Sequence, residues 1–440
     1  MDGPGRAPTG TDPDYRAVIE RLHALARSGT KFGLERIERV FSALGNPERG
    51  GRTVHIAGSN GKGSTAAFLA RILAESGARV GLFTSPHLVS LRERIRFLHQ
   101  GVDELIPPAE LVEAVRRVEQ VSNGLEDVSF FEAVTAAALV AMRARAVDVA
   151  VVEAGLGARL DATRLVEAEV AVLTDLSLEH TAILGDTIEE IAAEEGAVLR
   201  PGRPLVMASG PAGAMKVVDG MAREHSSPVL RLGRDFHVSG TWQQAEFRWD
   251  DEPRLGPLRL ALVGPHQLRN AALAATSARL LGAGAPALER GLLGARWPGR
   301  MESRYLSGTR ILLDGAQNPH AAGALAAALA EDRSFDRGAH VVFGVLADKD
   351  ASAMIRSITP FSKSWLLTRP TSERARDPHE LLPWAPDAQV EALPGRALER
   401  ALRASDLDGR PVLVCGSLYL VGDVVAALDA ASFAPLQGEV

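Results

Sequence analysis

The stretch TVHIAGSNGKGSTAAFLARILAESGARVGLFTS, residues 53–85, decides the first half of the fold. It begins with a short β-branched run, continues as a helical pattern, and returns to the β-branched run RVGLFTS, so it predicts a β-α-β unit. Between the first strand and the helix lies GSNGKGST, Gly58–Thr65. Glycine-freed backbone N–H groups can surround phosphate oxygens there, and Lys62 can reach the outer phosphates.

The spacing of this loop departs from the strict P-loop pattern. Gly63 separates Lys62 from Ser64, and the loop from Gly58 to Lys62 is shorter than usual. A glycine-rich turn without a ligand is therefore the alternative. If the loop binds a nucleotide, the predicted contacts are the consecutive residues Gly58, Ser59, Asn60, Gly61, Lys62, Gly63 and Ser64.

Two near-continuous apolar runs that follow the loop, VDVAVVEAG and EAEVAVLTDL, are typical of strands buried on both faces of a parallel sheet. Between about Val229 and Leu262, short alternating segments favour antiparallel hairpins at a sheet edge. From Arg310 a second strand and helix alternation begins, so a second α/β domain is expected. We predict a flexible tail at 1–13, a first domain at 14–297, a linker at 298–304 and a second domain at 305–440.

Composition narrows the class of protein. Apolar residues make up 46% and charged residues 24% of the 440, the balance of an ordinary globular protein. The net charge is -6 and no basic stripe occurs, so neither nucleic acid nor a membrane is an expected partner. The single cysteine, Cys415, and an N-terminus without a signal-peptide pattern favour the cytoplasm.

The loop resembles the phosphate loop of the Mur ligase superfamily, whose folate branch reads GTNGKGS, with Ser59 here in place of Thr. Further blocks resemble the folylpolyglutamate synthase/dihydrofolate synthase family in the same order along the chain. They are TSPHL (84–88), RERI (92–95), GLGARLDATR (155–164), LEHTAILGDT (178–187), GPHQLRNAALA (264–274), WPGRME (297–302), DGAQNPH (314–320), FGVLADKD (343–350) and GSLYLVG (416–422). The resemblance implies a P-loop ATPase domain with a mostly parallel sheet, followed by a smaller Rossmann-like domain.

The resemblance also implies a magnesium site made of Ser85, Glu153 and His180. Glu153 ends a buried strand, where open α/β sheets place their ligands, and the alternative is a buried salt bridge. His180 taken alone would be a structural histidine that caps a helix. Ser85 would alternatively be an N-cap or turn residue.

Residues of the second half are implied as nucleotide contacts. Arg300 of WPGR corresponds to a phosphate ligand, although an exposed hinge arginine is the alternative. Asp314 and Gln317 of DGAQNP are expected near the nucleotide, with Asn270 near ATP. Lys62, Glu153, His180, Glu195 and Arg300 form the expected catalytic set.

The chain departs from the family pattern at several positions. The family reads E-K-A-G-I-I-K-P-G, with a carbamylated first Lys near a second Mg²⁺, but EEGAVLRPG places Glu195 there. Glu195 either replaces the modified lysine with its own carboxylate or is a solvated helical glutamate. Gln317 stands where the family has His, and Ala158 and Arg164 also differ from it.

The implied activity is an ATP- and Mg²⁺-dependent ligase of folate biosynthesis and one-carbon metabolism. It joins L-glutamate to dihydropteroate, to a tetrahydrofolate polyglutamate, or to both, through an acyl phosphate. Family resemblance favours a monomer. The alternatives are a Mur-type amide ligase acting on a different acid and a degenerate nucleotide-binding paralogue.

Overall fold

The computed structural model describes residues 13–27, 33–250 and 253–433, with the backbone alone at residues 182 and 431–433. It divides into two units. One holds the described residues up to Leu262 and His266–Arg296, and the other holds Val263–Pro265 and the described residues from Trp297 onward. Residues 1–12 of the predicted tail lie outside the described residues, and Pro13 is the first residue of α1.

The first unit contains most of the secondary structure. Its strands are β1 (Arg52–Ala57), β2 (Val80–Phe83), β3 (Ile95–His99), β4 (Val102–Leu105), β5 (Val149–Glu153), β6 (Val170–Leu173), β7 (Leu205–Met207), β8 (Val229–Arg231), β9 (Phe236–Thr241), β10 (Gln244–Trp249) and β11 (Leu255–Leu258). Its helices are α1 (Pro13–Arg27), α2 (Glu35–Ala43), α3 (Lys62–Glu75), α4 (Pro108–Val121), α5 (Phe130–Ala144), α6 (Thr181–Leu184), α7 (Ile188–Gly196), α8 (Ala212–Glu224), α9 (His266–Leu280) and α10 (Ala285–Gly294).

The main sheet of this unit has the order β4-β3-β2-β5-β1-β6-β7-β8. The pairs from β2 to β8 are parallel, and β3 and β4 add an antiparallel edge. Because β2, β5, β1 and β6 are neighbours that run parallel, the segments that follow them lie at the same edge of the sheet. Ligands of open α/β sheets bind at this carboxyl edge.

Burial explains the apolar runs of the sequence. All residues of β2, β5, β6 and β7 are buried, as expected for strands covered on both faces. The strand register places Phe83, Val152, Leu173 and Met207 on the same face of the sheet. At β2 and β5 this face packs against α1, α2, α4 and α5. At β6 and β7 it packs against α7 and α8. The predicted antiparallel hairpins are confirmed, but β9, β10 and β11 form a separate three-stranded sheet rather than an extension of the main one.

The second unit is a smaller α/β layer structure. Its strands are β12 (Glu302–Leu306), β13 (Thr309–Leu313), β14 (Ala339–Phe343), β15 (Ser362–Leu367), β16 (Gln389–Val390) and β17 (Val412–Cys415), in the order β12-β13-β17-β14-β15-β16. Its helices are α11 (Pro319–Ala330), α12 (Ala351–Ile358), α13 (Pro394–Asp408) and α14 (Leu418–Phe433). All pairs are parallel except β12 with β13. The predicted fold class is thereby confirmed, whereas residues 302–304 of the predicted linker belong to β12.

No helix within the described ranges, 13–27, 33–250 and 253–433, is long and apolar enough to cross a membrane.

Candidate active site

The predicted phosphate loop joins β1 to α3 and needs glycine at two positions. Gly58 has a φ of 127° and Gly61, which precedes α3, has a φ of 88°, values that residues with a Cβ rarely adopt. A Cβ on Gly58 would overlap Thr174 Oγ1, and one on Gly61 would overlap Asn270 Oδ1. Conformation and lack of space therefore both require glycine. The predicted ATP contact Asn270 lies directly against the loop.

The segment that follows β6 is hydrogen-bonded to the phosphate loop. The carbonyl of Asp175 accepts hydrogen bonds from the N–H groups of Ser59 (2.8 Å) and Asn60 (3.3 Å). The Ser59 hydroxyl donates to Ser177 O and accepts from Ser177 N, both at 3.0 Å, and Asn60 Nδ2 donates to Ser177 Oγ at 2.9 Å. Two loop amides are thus used to hold the loop in place. The first amides of α3, which have no partner within a helix, are suitably placed to bind phosphate oxygens.

Lys62 is the first residue of α3, and its ammonium group lies over the loop. Nζ donates to the carbonyl of Gly58 and, at 3.4 Å, to that of Ser59. These acceptors are neutral, so a phosphate oxygen would be a stronger partner for the ammonium. When a nucleotide binds, the Lys62 ammonium would therefore exchange these carbonyl acceptors for a phosphate oxygen. It would break no ion pair with the two carbonyls, because they are neutral.

Helix α9 supports the start of α3 through two buried amide side chains. Gln267 Nε2 donates to Ser64 Oγ at 3.4 Å, and Asn270 Nδ2 donates to Gln267 Oε1 at 3.0 Å. Both side chains are buried. Gln267 lies in the block GPHQLRNAALA but was not among the predicted site residues, because a buried polar residue on a helix has no distinguishing local pattern.

Two of the three predicted magnesium ligands lie together. Glu153 ends β5 and is only 3% exposed, and its Oε2 accepts the Ser85 N–H at 2.9 Å. His180 directly precedes α6 with a φ of 53°, and its Nε2 lies 3.7 Å from Glu179 Oε1. Among the described residues no group of three or more His, Cys, Asp and Glu could hold a metal. The Ser85 hydroxyl and the Glu153 carboxylate nevertheless fit Mg²⁺, which prefers oxygen and keeps several of its ligands as water or phosphate.

Glu195 on α7 reaches the same loop. Its carboxylate accepts the Gly58 N–H at 2.9 Å, and the residue is 3% exposed. The alternative of a solvated glutamate is wrong, because the side chain is buried. Burial raises the pKa of Glu195, whereas the charge of Lys62 and the Gly58 N–H oppose this rise. Glu195 thus contacts the phosphate loop through a backbone amide.

A buried polar chain that the sequence analysis missed connects the end of α7 with the loop after β5. Arg200 Nη2 lies 3.3 Å from His55 Nδ1, and His55 Nε2 lies 2.8 Å from Thr163 Oγ1. Thr163 Oγ1 donates to Asp161, which also accepts the N–H of Gly155 at 3.0 Å. Burial, together with the charge of Arg200, lowers the pKa of His55 well below its ordinary value of 6.5, so this histidine is neutral. The chain fixes the backbone that follows Glu153.

The second unit has its own cluster at the carboxyl end of β13. Asp314 accepts the N–H groups of Met301 and Ala316, both at 2.9 Å, and is 6% exposed. Burial raises the pKa of Asp314, and the charge of Arg300 opposes the rise. A Cβ on Gly315 would overlap the Arg300 guanidinium, so Arg300 lies across this turn. Arg300 is half-buried, which contradicts the alternative of an exposed hinge arginine, and Gln317 is half-buried in the same turn.

Two family models match the chain. The model described as "Mur ligase middle domain" matches residues 56–278, and the one described as "Mur ligase, glutamate ligase domain" matches residues 299–418. The first match contains the phosphate loop and the second contains the Asp314 turn. The fold and these two sites therefore define a Mur-type ligase.

Individual relatives refine this class. The folylpolyglutamate synthase of Lacticaseibacillus casei is 35% identical over 93% of this chain and 98% of its own length. A probable bifunctional folylpolyglutamate synthase/dihydropteroate synthase of Haloferax volcanii is 38% identical, and the chain spans 50% of that relative's length. The structure of E. coli FolC in complex with DHPP and ADP has a TM-score of 0.85 at 29% identity, covering 97% of this chain and 100% of that one. The chain belongs to the folylpolyglutamate synthase/dihydrofolate synthase family of Mur ligases and is an ATP-dependent ligase.

Proposed function

We propose that this protein forms an amide bond between the amine of L-glutamate and a carboxylate of a folate-type substrate, with hydrolysis of ATP to ADP and phosphate. The acceptor is dihydropteroate, a reduced folate polyglutamate, or both. The observation that carries the proposal is the glycine-dependent loop with Lys62 at the start of α3, beside the Ser85–Glu153 pair. The names of the relatives, and the DHPP and ADP bound to E. coli FolC, support the choice of substrates.

The reaction proceeds in two transfers. The γ-phosphoryl group of ATP moves to the substrate carboxylate and forms an acyl phosphate, with ADP leaving. The glutamate amine then attacks the acyl carbon, and phosphate leaves as the amide forms. The amides at the start of α3 and the ammonium of Lys62 hold the phosphates and stabilise the negative charge during the first transfer.

Ser85, Glu153 and His180 would hold Mg²⁺, which neutralises phosphate charge when it is bound. The protein's own contribution is to place these groups. The hydrogen bond from the Ser85 N–H keeps the Glu153 carboxylate at the carboxyl edge of the sheet. The loop that follows Glu153 is held in place because Asp161 accepts the Gly155 N–H.

On the second unit, Arg300 contacts the ATP phosphates, and Asp314 and Gln317 contact the nucleotide. Asn270 of the first unit, which already lies against Gly61, is a further contact to ATP. Asp314 supports this role by fixing the backbone of Met301, the neighbour of Arg300. We also propose that residues 14–297 and 305–440 act as the two functional domains of a cytoplasmic monomer.

The test is ADP release by the purified protein with MgATP and L-glutamate, comparing dihydropteroate, tetrahydrofolate and no acceptor. Lys62→Ala is the blank, and Lys216→Ala, an exposed lysine on α8, is the matched control. Turnover that requires both acceptor and glutamate supports the ligase, and the active acceptor identifies the branch. If ADP binds but every folate is inactive, the folate assignment fails, and the ligase acting on a different acid becomes the better proposal.

A further inference from the structure

Helix α7 is held rigidly at both ends. It begins with a capping box in which Thr187 and Glu190 bond to each other's backbone N–H groups. Just beyond its last residue, the Arg200 guanidinium donates to the carbonyls of Ala197, Val198 and Leu199 at 2.9–3.2 Å. The carbonyl of Glu194 also accepts the Ala158 N–H at 3.1 Å. The backbone at Glu195 therefore has little freedom, and its side chain reaches the phosphate loop from a fixed position.

The Glu195 carboxylate contacts the first backbone N–H of the phosphate loop, that of Gly58. Gly58 is the point at which the chain leaves β1 with a positive φ. Thr174 borders Gly58 on one side and donates through N–H and Oγ1 to the carbonyl of Ala57, at 2.9 Å and 3.1 Å. The Glu195 carboxylate accepts the Gly58 N–H on the other side. The peptide between Ala57 and Gly58 is thus held at both its oxygen and its nitrogen.

The carbonyl of the next peptide, that of Gly58, accepts a hydrogen bond from the Lys62 ammonium. Nζ bonds to the Gly58 carbonyl, so the orientation of this carbonyl decides where Lys62 lies before a phosphate arrives. Rotation of the Gly58 backbone would move both the carbonyl and the lysine. Because Gly58 has no side chain to restrict its torsions, a hydrogen bond to its N–H is an effective way to restrict them.

We propose that Glu195 is a positioning residue that orients the first peptides of the phosphate loop, and with them Lys62, by accepting the Gly58 N–H. This proposal rests on the proposed function only in that the loop binds a nucleotide. The orientation of the loop depends on an oxygen acceptor placed at the distance that a glutamate side chain reaches. The negative charge of Glu195 and any coordination of a metal by its carboxylate contribute less to this role than the acceptor oxygen does.

Two conservative substitutions separate reach from charge. Glu195→Gln keeps the length and an acceptor oxygen but removes the charge, whereas Glu195→Asp keeps the charge but is one methylene too short to reach Gly58. We measure ADP binding in Mg²⁺ by calorimetry, together with KM for ATP and kcat. Thermal unfolding of each variant verifies the fold. The control is Glu194→Gln on the same helix, whose side chain pairs with Arg159 and is 27% exposed.

We expect Glu195→Gln to bind ADP no more than about twofold more weakly than the wild type. Glu195→Asp should lose about tenfold, equivalent to about 1.4 kcal/mol, and its KM for ATP should rise more than its kcat falls. The reverse order, with Asp close to wild type and Gln impaired or more demanding of Mg²⁺, would overturn the proposal in favour of a charge or metal role. Equal binding by all three proteins would also overturn it.

The outcomes keep the two proposals apart. If ADP binding follows the expected order but no folate is turned over, the positioning role holds and the folate ligase assignment fails. If turnover occurs but ADP binding is insensitive to residue 195, the ligase assignment holds and the positioning role fails. If the wild type binds no ADP, both fail.

Discussion

Glu195 and Asp314 are both buried carboxylates that accept backbone N–H groups, one in each unit, but the backbone segments that they bind differ. Asp314 accepts from Ala316, two residues along the chain, and from Met301, so it builds its own turn. Glu195 accepts from Gly58, which lies 137 residues earlier. A buried carboxylate can therefore stabilise a local turn or join two distant segments. The difference lies in which backbone reaches it.

The cations beside the two carboxylates differ as well. The charge of Lys62 acts on Glu195, and that of Arg300 acts on Asp314. Lys62 bonds to loop carbonyls, whereas the guanidinium of Arg300 lies across Gly315. In both units burial is the largest influence on the carboxylate and raises its pKa. The first pair should then matter mainly for nucleotide binding, and Asp314 mainly for the stability of its turn.

The largest effect is expected for Lys62→Ala. Removing a group that stabilises transferred phosphate should lower the turnover by about 10²–10³-fold. The free energy of unfolding should decrease only modestly, because Nζ donates to neutral carbonyls of its own loop and stabilises the buried Glu195 carboxylate through its charge alone. Steady-state ADP release and urea unfolding measure the two quantities. An equally large loss in Lys216→Ala would show that the effect is not specific to the loop.

Asp314→Ala should act on stability. It leaves two buried N–H groups, those of Met301 and Ala316, without their acceptor, and each such loss costs about 1–3 kcal/mol. We expect a decrease of about 2–4 kcal/mol in the free energy of unfolding in urea, and roughly half of it for Asp314→Asn, which retains one oxygen. The control is Asp387→Ala at an exposed position. If Asp314→Ala were as stable as this control, the turn would not depend on Asp314.

The contribution of Asp314 to the free energy of unfolding should depend on pH. The pKa of Asp314 is raised above the ordinary 3.8, so above that pH the folded chain holds this proton longer than the unfolded chain does. Its contribution to stability is therefore greatest at low pH and falls as the pH rises. Asp314→Asn lacks this proton, so its stability relative to the wild type should improve from about pH 4 to 7 in urea unfolding. Parallel pH profiles would contradict the raised pKa.

The smallest effect is expected next to Glu195 on the same helix. Glu194 forms a 3.2 Å ion pair with Arg159, whose side chain is 52% exposed. Exposed pairs contribute about 0–1 kcal/mol, so Glu194→Gln should change the free energy of unfolding by less than about 1 kcal/mol and leave ADP binding unaltered. A loss of ADP affinity comparable to that of Glu195→Asp would mean that α7 acts as a whole rather than through the Glu195 contact.

Local patterns predicted much of the fold. The β-α-β unit around the phosphate loop, the buried strands β5 and β6, and the second alternation from β13 onward are all present. Strand β12 was missed because the turn-rich WPGR segment before it indicated a linker. The antiparallel strands were predicted, but their separation from the main sheet was not, because alternation along a strand does not reveal which sheet it joins.

Features that depend on neighbours along the chain follow from residue type and local spacing. They are the glycines where the backbone takes a positive φ, the lysine at the start of α3, the apolar runs in the parallel strands, and the aspartate that bonds to its own turn. Tertiary packing was needed to bring Glu195 to Gly58, Gln267 to Ser64, and Arg200 to His55. These pairs are 137, 203 and 145 residues apart. Such contacts follow from strand order and helix packing, which bring chemically ordinary residues together without any periodic signal.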